Sequence, residues 1–172
     1  MTDQTDAPRI LGSLHATDGL GLVRIEHTTL AAPEEVWSAL TDPGRLADWL
    51  GTVTGDLHEG GEYQGRWRVS EWEGTGRIRA CEPPRRLVLS SAEADQEREH
   101  LTTITITPDG SGSRIVLEEQ GMPLPMVAAF GAGTQIHVED LVAHVEDSPH
   151  RHTVDRFGEL YPAYQALPVA GV

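Results

Sequence analysis

The chain's 172 residues are enough for one domain with a substantial core, and 27 acidic against 13 basic residues leave it a formal net charge of −14. That balance argues against binding nucleic acid through the phosphate backbone, which needs Lys and Arg to displace counterions, and against docking on an anionic membrane. A single cysteine, Cys81, excludes an internal disulfide and a thiolate metal cluster.

Residues 1–9 are polar and acidic, without the charged-then-apolar pattern of a secretion signal. No run approaches the ~20 apolar residues of a membrane span, so the sequence predicts a cytoplasmic protein. The expected organisation is a disordered N-terminus over residues 1–8, a single domain over 9–167 and a flexible tail over 168–172.

Ile10 to Leu14 is a short apolar segment, and Ala16-Thr17-Asp18-Gly19 reads as a turn. Leu20 to Leu30 alternates, with Val23, Ile25 and His27 on one side and Arg24, Glu26 and Thr28 on the other, which is a strand pattern. Pro33 then opens a helix at the position where its missing N–H costs nothing. Glu34 and Glu35 oppose the positive end of the dipole, and Val36, Trp37 and Leu40 share the apolar face. Asp42-Pro43 repeats the start signal for a second short helix carrying Leu46, Trp49 and Leu50, with Gly51 as its stop.

Six strand-like segments follow: Thr52 to Leu57, Glu62 to Ser70, Trp72 to Cys81, Arg85 to Ser91, Leu101 to Thr107 and Arg114 to Gln120. The second is the cleanest, with Tyr63, Trp67 and Val69 opposite Glu62, Gln64, Arg66 and Arg68. Pro108 to Gly112 is a hairpin turn, and Glu93 to Glu99 is a longer hairpin loop. The period then changes. Val127, Phe130, Thr134, Val138, Leu141 and Val145 recur at three and four, the stripe of a long amphipathic helix whose other side carries Glu139, Asp140, Glu146 and Asp147. Pro149 ends it, and Thr153 to Ala166 reads as a last helix with Phe157, Leu160, Tyr161 and Tyr164 on its apolar side.

This order predicts an α+β helix-grip architecture. A curved antiparallel sheet of about six or seven strands wraps round a long C-terminal helix, with two short helices after the first strand. The outer face of the sheet carries Arg66, Arg68, Arg77 and Arg79. The inner face carries Tyr63, Trp67, Trp72, Ile78, Ile104, Ile106, Ile115 and Leu117. A gap between sheet and helix is where a small molecule would sit.

The segments APEEVWSALTDPGRLADWLG, GGEYQGRW, GTGRIRACEPPRRLVLS, SRIVLEEQGMP and RFGELYPAYQAL resemble the START-like, birch-pollen-allergen-like (SRPBCC) superfamily. Within it they are most similar to bacterial proteins related to the C-terminal domain of the activator of heat-shock protein 90 ATPase. The resemblance runs from about Gly12 to Leu167 and implies the helix-grip fold. It implies no single activity, since the superfamily includes lipid carriers, polyketide cyclases, hormone receptors and cochaperone domains, and it transfers no catalytic residue. The chain departs from many relatives at two places. Gly133-Thr134 stands where they have Gly-Trp, and the strand ending Leu89-Ser90-Ser91 lacks a closing Trp. Both departures make the cavity roomier and more polar.

Eight histidines against two phenylalanines call for a test of each cluster. His137 and His144, two turns apart with Asp140 between them, could hold a divalent metal, or could simply flank the apolar stripe and reach solvent. His150 and His152, around the Pro149 break, read as an exposed loop. His27, His100 and Glu119 fall on the apolar sides of their strands. There they sit at strand ends open to water, or pair, or contact a ligand, and an inward Glu beside a His could act as a general base. Cys81 lies in a strand pattern and reads as a buried thiol. Gly60-Gly61, Gly74 and Gly76 lack the strand-to-helix context of a phosphate loop, and no Ser, His and Asp set has nucleophile-elbow context.

The leading reading is a domain that binds a small hydrophobic or aromatic molecule in an internal cavity, as carrier, sensor or cyclase-like protein. The expected ligand-binding set is His27, Trp49, Tyr63, Trp67, Trp72, His100, Thr102, Glu119, Phe130, Thr134 and His137. Trp37 is assigned to helix core. No catalytic residue, metal site or cofactor is read. The alternatives are a cochaperone-like interaction module with a chaperone as partner and, more weakly, a metal-assisted enzyme. Monomer and homodimer are both open. Cavity volume separates the first two readings, because a filled core with an exposed apolar patch fits a protein partner and an open cavity of mixed polarity fits a ligand.

Overall fold

A computed structural model describes residues 7–68, 70–93, 98–150 and 153–171. The chain runs β1 (Gly12–Thr17), β2 (Leu20–Thr29), α1 (Pro33–Thr41), α2 (Pro43–Trp49), β3 (Gly51–Gly55), β4 (Glu62–Trp67) and β5 (Glu73–Glu82). It continues with β6 (Arg86–Glu93), β7 (His100–Asp109), β8 (Gly112–Pro123), a short 3-10 turn, α3 (Val127–Val145), α4 (Thr153–Gln165) and β9 (Val169–Gly171). The strands form one sheet in the order β3-β4-β5-β6-β7-β8-β2-β1-β9, antiparallel except for β1 with β9. This is the expected helix-grip arrangement: the sheet curves round α3, with α1 and α2 inserted after β2.

The expected count of six or seven strands is corrected to nine at both chain ends. The apolar segment before the first turn is a full strand, because Asp18-Gly19 closes a two-residue hairpin with both residues at positive φ (50° and 78°) and sets Gly12–Thr17 against β2. The tail expected to be flexible carries β9, in which Val169–Gly171 pairs with Leu14–Ala16 on the sheet edge. Part of the expected disordered N-terminus (residues 1–6) and of the Glu93 to Glu99 loop (94–97) lies outside the described residues, as does Val69.

Local chemistry explains the two short helices. Neither Ala32 nor any other side chain caps α1, which relies on Pro33 in its first turn and on Glu34 and Glu35 there. In α2 the Asp42 carboxylate accepts from the Arg45 N–H at 2.9 Å. Arg45 reaches back to Glu35 at 2.6 Å, and the Trp49 indole N–H donates to the Ala39 carbonyl at 3.0 Å, so the helices are locked together. Gly51 opens β3 directly after α2.

The interior divides into two halves. Under β1 and β2, α3 packs closely: Leu14, Val23, Ile25, Met122, Ile136, Leu160 and Tyr164 are all buried. The expected polar side of α3 is covered by α4 and the N-terminal segment. Arg156 of α4 makes a two-pronged pair with Glu139, at 2.9 and 2.7 Å. The fully buried Gln135 uses all four hydrogen-bonding positions of its amide: Oε1 accepts from Leu11 N–H and the Tyr164 hydroxyl, and Nε2 donates to Arg9 O and Glu139. Under β3 to β8 the helix stands away from the sheet.

Candidate ligand cavity

A cavity of about 850 Å³ fills that space. Its walls come from α1, α2, β3 to β8, α3 and the start of α4, and no residue of β1 or β2 reaches it. Val53, Ile78, Leu87, Ile104, Ile115 and Leu141 make the apolar lining, and all four tryptophans, Trp37, Trp49, Trp67 and Trp72, face the space. The exposed lining residues Ser70, Glu71, Met126, Val154 and Phe157 mark the mouth.

Glycines on the sheet make room for the aromatic wall. Trp67 and Trp72 stack at 4.9 Å with 25° between their planes. A Cβ at Gly65 would sit 2.8 Å from the Trp67 ring, and one at Gly74 would sit 2.6 Å from the Trp72 ring. These two glycines are cross-strand partners, so the bare backbone of β4 and β5 is the surface on which the indoles lie. Tyr63 is buried in the same wall, where burial pushes its hydroxyl up to about 12.

One end of the cavity is polar. Alternation along β7 and β8 puts His100, Thr102 and Ile104 on one face and Ile115, Leu117 and Glu119 opposite, with Thr102 and Glu119 in register. Thr134 and His137 reach the same space from α3, and Ser91 of β6 is paired with His100. The Thr134 hydroxyl donates to Glu119 Oε2 at 2.7 Å, and His100 Nδ1 lies 3.6 Å from Glu119 Oε1. His100 also leans on Phe130 at 5.1 Å. Burial holds the His137 imidazole below the ordinary histidine range, against the opposing pull of Glu119, and its Nδ1 is buried without a hydrogen-bond partner.

Of the eleven residues expected at the site, ten line this one cavity: Trp49, Tyr63, Trp67, Trp72, His100, Thr102, Glu119, Phe130, Thr134 and His137. His27 is corrected. It lies with Arg9, Glu139, Asp140 and Arg156 in a separate polar recess on the far flank of α3, because β2 packs solidly against the helix and the cavity begins only beyond it. His100 and Glu119 are not at open strand ends, their side chains being 13% and 19% exposed. Trp37, assigned to core, also lines the cavity, as does Phe157 of α4. The first has the composition of either role, and the second depends on how α4 folds back, for which the sequence carries no local signal.

The histidines read as a metal face diverge. His137 faces the cavity, Asp140 is buried beside His150 at 3.5 Å, and His144 accepts from the Arg45 guanidinium at 3.3 Å. Burial pushes the Asp140 carboxyl up, partly offset by His150. Among the described residues no group of three or more His, Cys, Asp or Glu is placed to hold an ion. His152 lies outside them. Cys81 lines the cavity half-buried, and desolvation, reinforced by Glu59, pushes its thiol up, which favours the inert thiol over the nucleophilic thiolate. Among the described residues no helix is long and apolar enough to cross a membrane.

Comparison with known proteins gives likeness to solved structures and to one family model. CalU16 from Micromonospora echinospora is 25% identical, covering 91% of this chain and 94% of its own, with a TM-score of 0.73. DynU16, described as a protein of the dynemicin biosynthetic locus, is 23% identical over 80% of this chain and 51% of its own, with a TM-score of 0.69. MLL2253 from Mesorhizobium loti is 21% identical over 74% and 98%, with a TM-score of 0.67. Among curated proteins, none matches. Residues 30–146 match the model of the family described as Activator of Hsp90 ATPase homolog 1-like protein, a segment running from α1 through α3. The chain therefore belongs to the Activator of Hsp90 ATPase homolog 1-like family, within the START-like SRPBCC superfamily.

Proposed function

We propose that this domain binds one small hydrophobic or aromatic molecule inside the cavity, in a carrier, sensor or cyclase-like role. The observation that carries the reading is the cavity itself: about 850 Å³, within the range of small-molecule sites, with an aromatic wall at one side and a compact polar cluster at one end. A flat apolar body would stack on the Trp67–Trp72 pair, and the cluster would orient its polar end. DynU16's place in a biosynthetic locus is in keeping with a small-molecule role. The family description directs attention to a chaperone, and Leu124, Met126, Val154 and Phe157 do form exposed apolar points near the mouth. The unfilled space behind them favours a ligand over a protein partner.

Native mass spectrometry of the purified protein, followed by a thermal-shift screen against apolar and aromatic compounds, tests the reading. Ligand that binds only the folded state raises its melting temperature by mass action. Gly133→Phe supplies the control. Gly133 lines the cavity and a Cβ there meets no atom within 4 Å, so the ring should enter the empty space while the helix keeps its fold. Shifts seen with the wild type should vanish in Gly133→Phe. A screen with no hits, or hits that survive this substitution, would turn the assignment toward a protein partner.

A further inference from the structure

The cavity's charges are one-sided. Glu119 lies inside and Glu71 at the mouth, whereas no arginine lines the space among the described residues, and the chain contains no lysine at all. Glu119 Oε2 is taken by Thr134, but Oε1 accepts no hydrogen bond from the described residues, His100 Nδ1 standing off at 3.6 Å. An ionised carboxylate accepts at both oxygens and is costly to leave part-satisfied in apolar surroundings. The other polar groups there, Thr102, Ser91 and the imidazoles of His100 and His137, carry no permanent positive charge to offset an acid.

We propose that the cavity selects an amphiphile whose polar end donates a hydrogen bond, a hydroxyl or an amine, to Glu119, and that it rejects carboxylic acids. This rests on the ligand reading above and gives its chemical class. A carboxylate head beside Glu119 would put two like charges together with no arginine or lysine between them, His100 being the ionisable base beside Glu119. A hydroxyl or ammonium would complete the open oxygen with a charge-assisted bond. Fatty acids and other acidic lipids are thereby excluded, although the apolar wall would accommodate their chains.

A matched series with one aromatic body reads this directly: anthracenemethanol, aminomethylanthracene, methylanthracene and anthracenecarboxylate, titrated by calorimetry into the wild type and Glu119→Gln. The wild type should bind the alcohol and the amine on the order of tenfold or more tightly than the acid, since a site built to pair one polar group discriminates strongly against a mismatched one. The order of amine and alcohol tells whether the preferred head is cationic or neutral, and either order supports the proposal. Glu119→Gln should close most of the gap, chiefly by gaining affinity for the acid. Equal or tighter binding of the acid by the wild type, or a gap unchanged in Glu119→Gln, overturns the charge selection and leaves the cavity reading standing. Failure of all four compounds, methylanthracene included, defeats the cavity reading and this one with it. The wild-type ranking needs no substitution, so it decides the question even if the variant does not fold.

Discussion

His137 is the residue where the interior pays most visibly for its shape: a histidine facing the cavity with one ring nitrogen buried and unpartnered. Burial lowers its pKa, so on acidification the unfolded chain takes up a proton there before the folded one does. Its contribution is neutral above the ordinary histidine pKa of about 6.5, and stability drains as pH falls below that value. His137→Leu should therefore flatten the loss of stability between about pH 7.5 and about pH 5.5, measured by urea midpoints at the two values. A wild-type and variant pair with parallel pH profiles would contradict the assignment. The same residue shows what sequence can carry. Strand alternation put His100 and Glu119 on the inward side correctly. It could not say whether that side ended in water or in an enclosed space, since this depends on how far α3 stands from the sheet. His27 obeyed the same alternation and still missed the cavity, because β2 lies where the helix touches down.

At the scale of elements, two joints brace the helices. Asp42 caps α2, and Asp42→Ala should cost about 1 kcal/mol in urea unfolding. Arg156 bridges α4 to α3 through Glu139 while its side chain is only 8% exposed. Removing Arg156 takes two charge-assisted hydrogen bonds from Glu139, which keeps the Gln135 amide, so Arg156→Met should cost about 2 kcal/mol by the same measurement. The opposite sign is expected on α3 itself. Gly133 sits mid-helix with open space where a side chain would go, so Gly133→Ala should stabilise by about 1 kcal/mol. The helices and the alternation of the central strands were legible because each has a local cause, such as proline in a first turn or a period of two. β9 and the covering of α3 by α4 were not. They come from long-range contacts, Val169 with Leu14 and Tyr164 with Gln135, that no short window of sequence contains.

Across the whole molecule, the sheet does two jobs with one curvature. On the β1–β2 side it closes on α3 and α4 into a solid core, and on the β3–β8 side it opens into the cavity. Stability and binding are therefore separable by position. Substitutions at Leu14, Ile25 or Leu160 should lower the melting temperature without altering ligand selectivity, whereas those at Trp67, Glu119 or Gly133 should alter binding at smaller cost to the fold. The resemblance carried by the helix pair and the strand motifs reached the architecture, and the departures at Thr134 and Ser91 pointed to the polar end of the cavity, where both residues lie. The placement of every indole has a further consequence. All four line the space, so the protein's tryptophan emission reports on its walls. Any guest that absorbs in the near ultraviolet should quench it by energy transfer, so the unlabelled chain serves as its own optical gauge of occupancy.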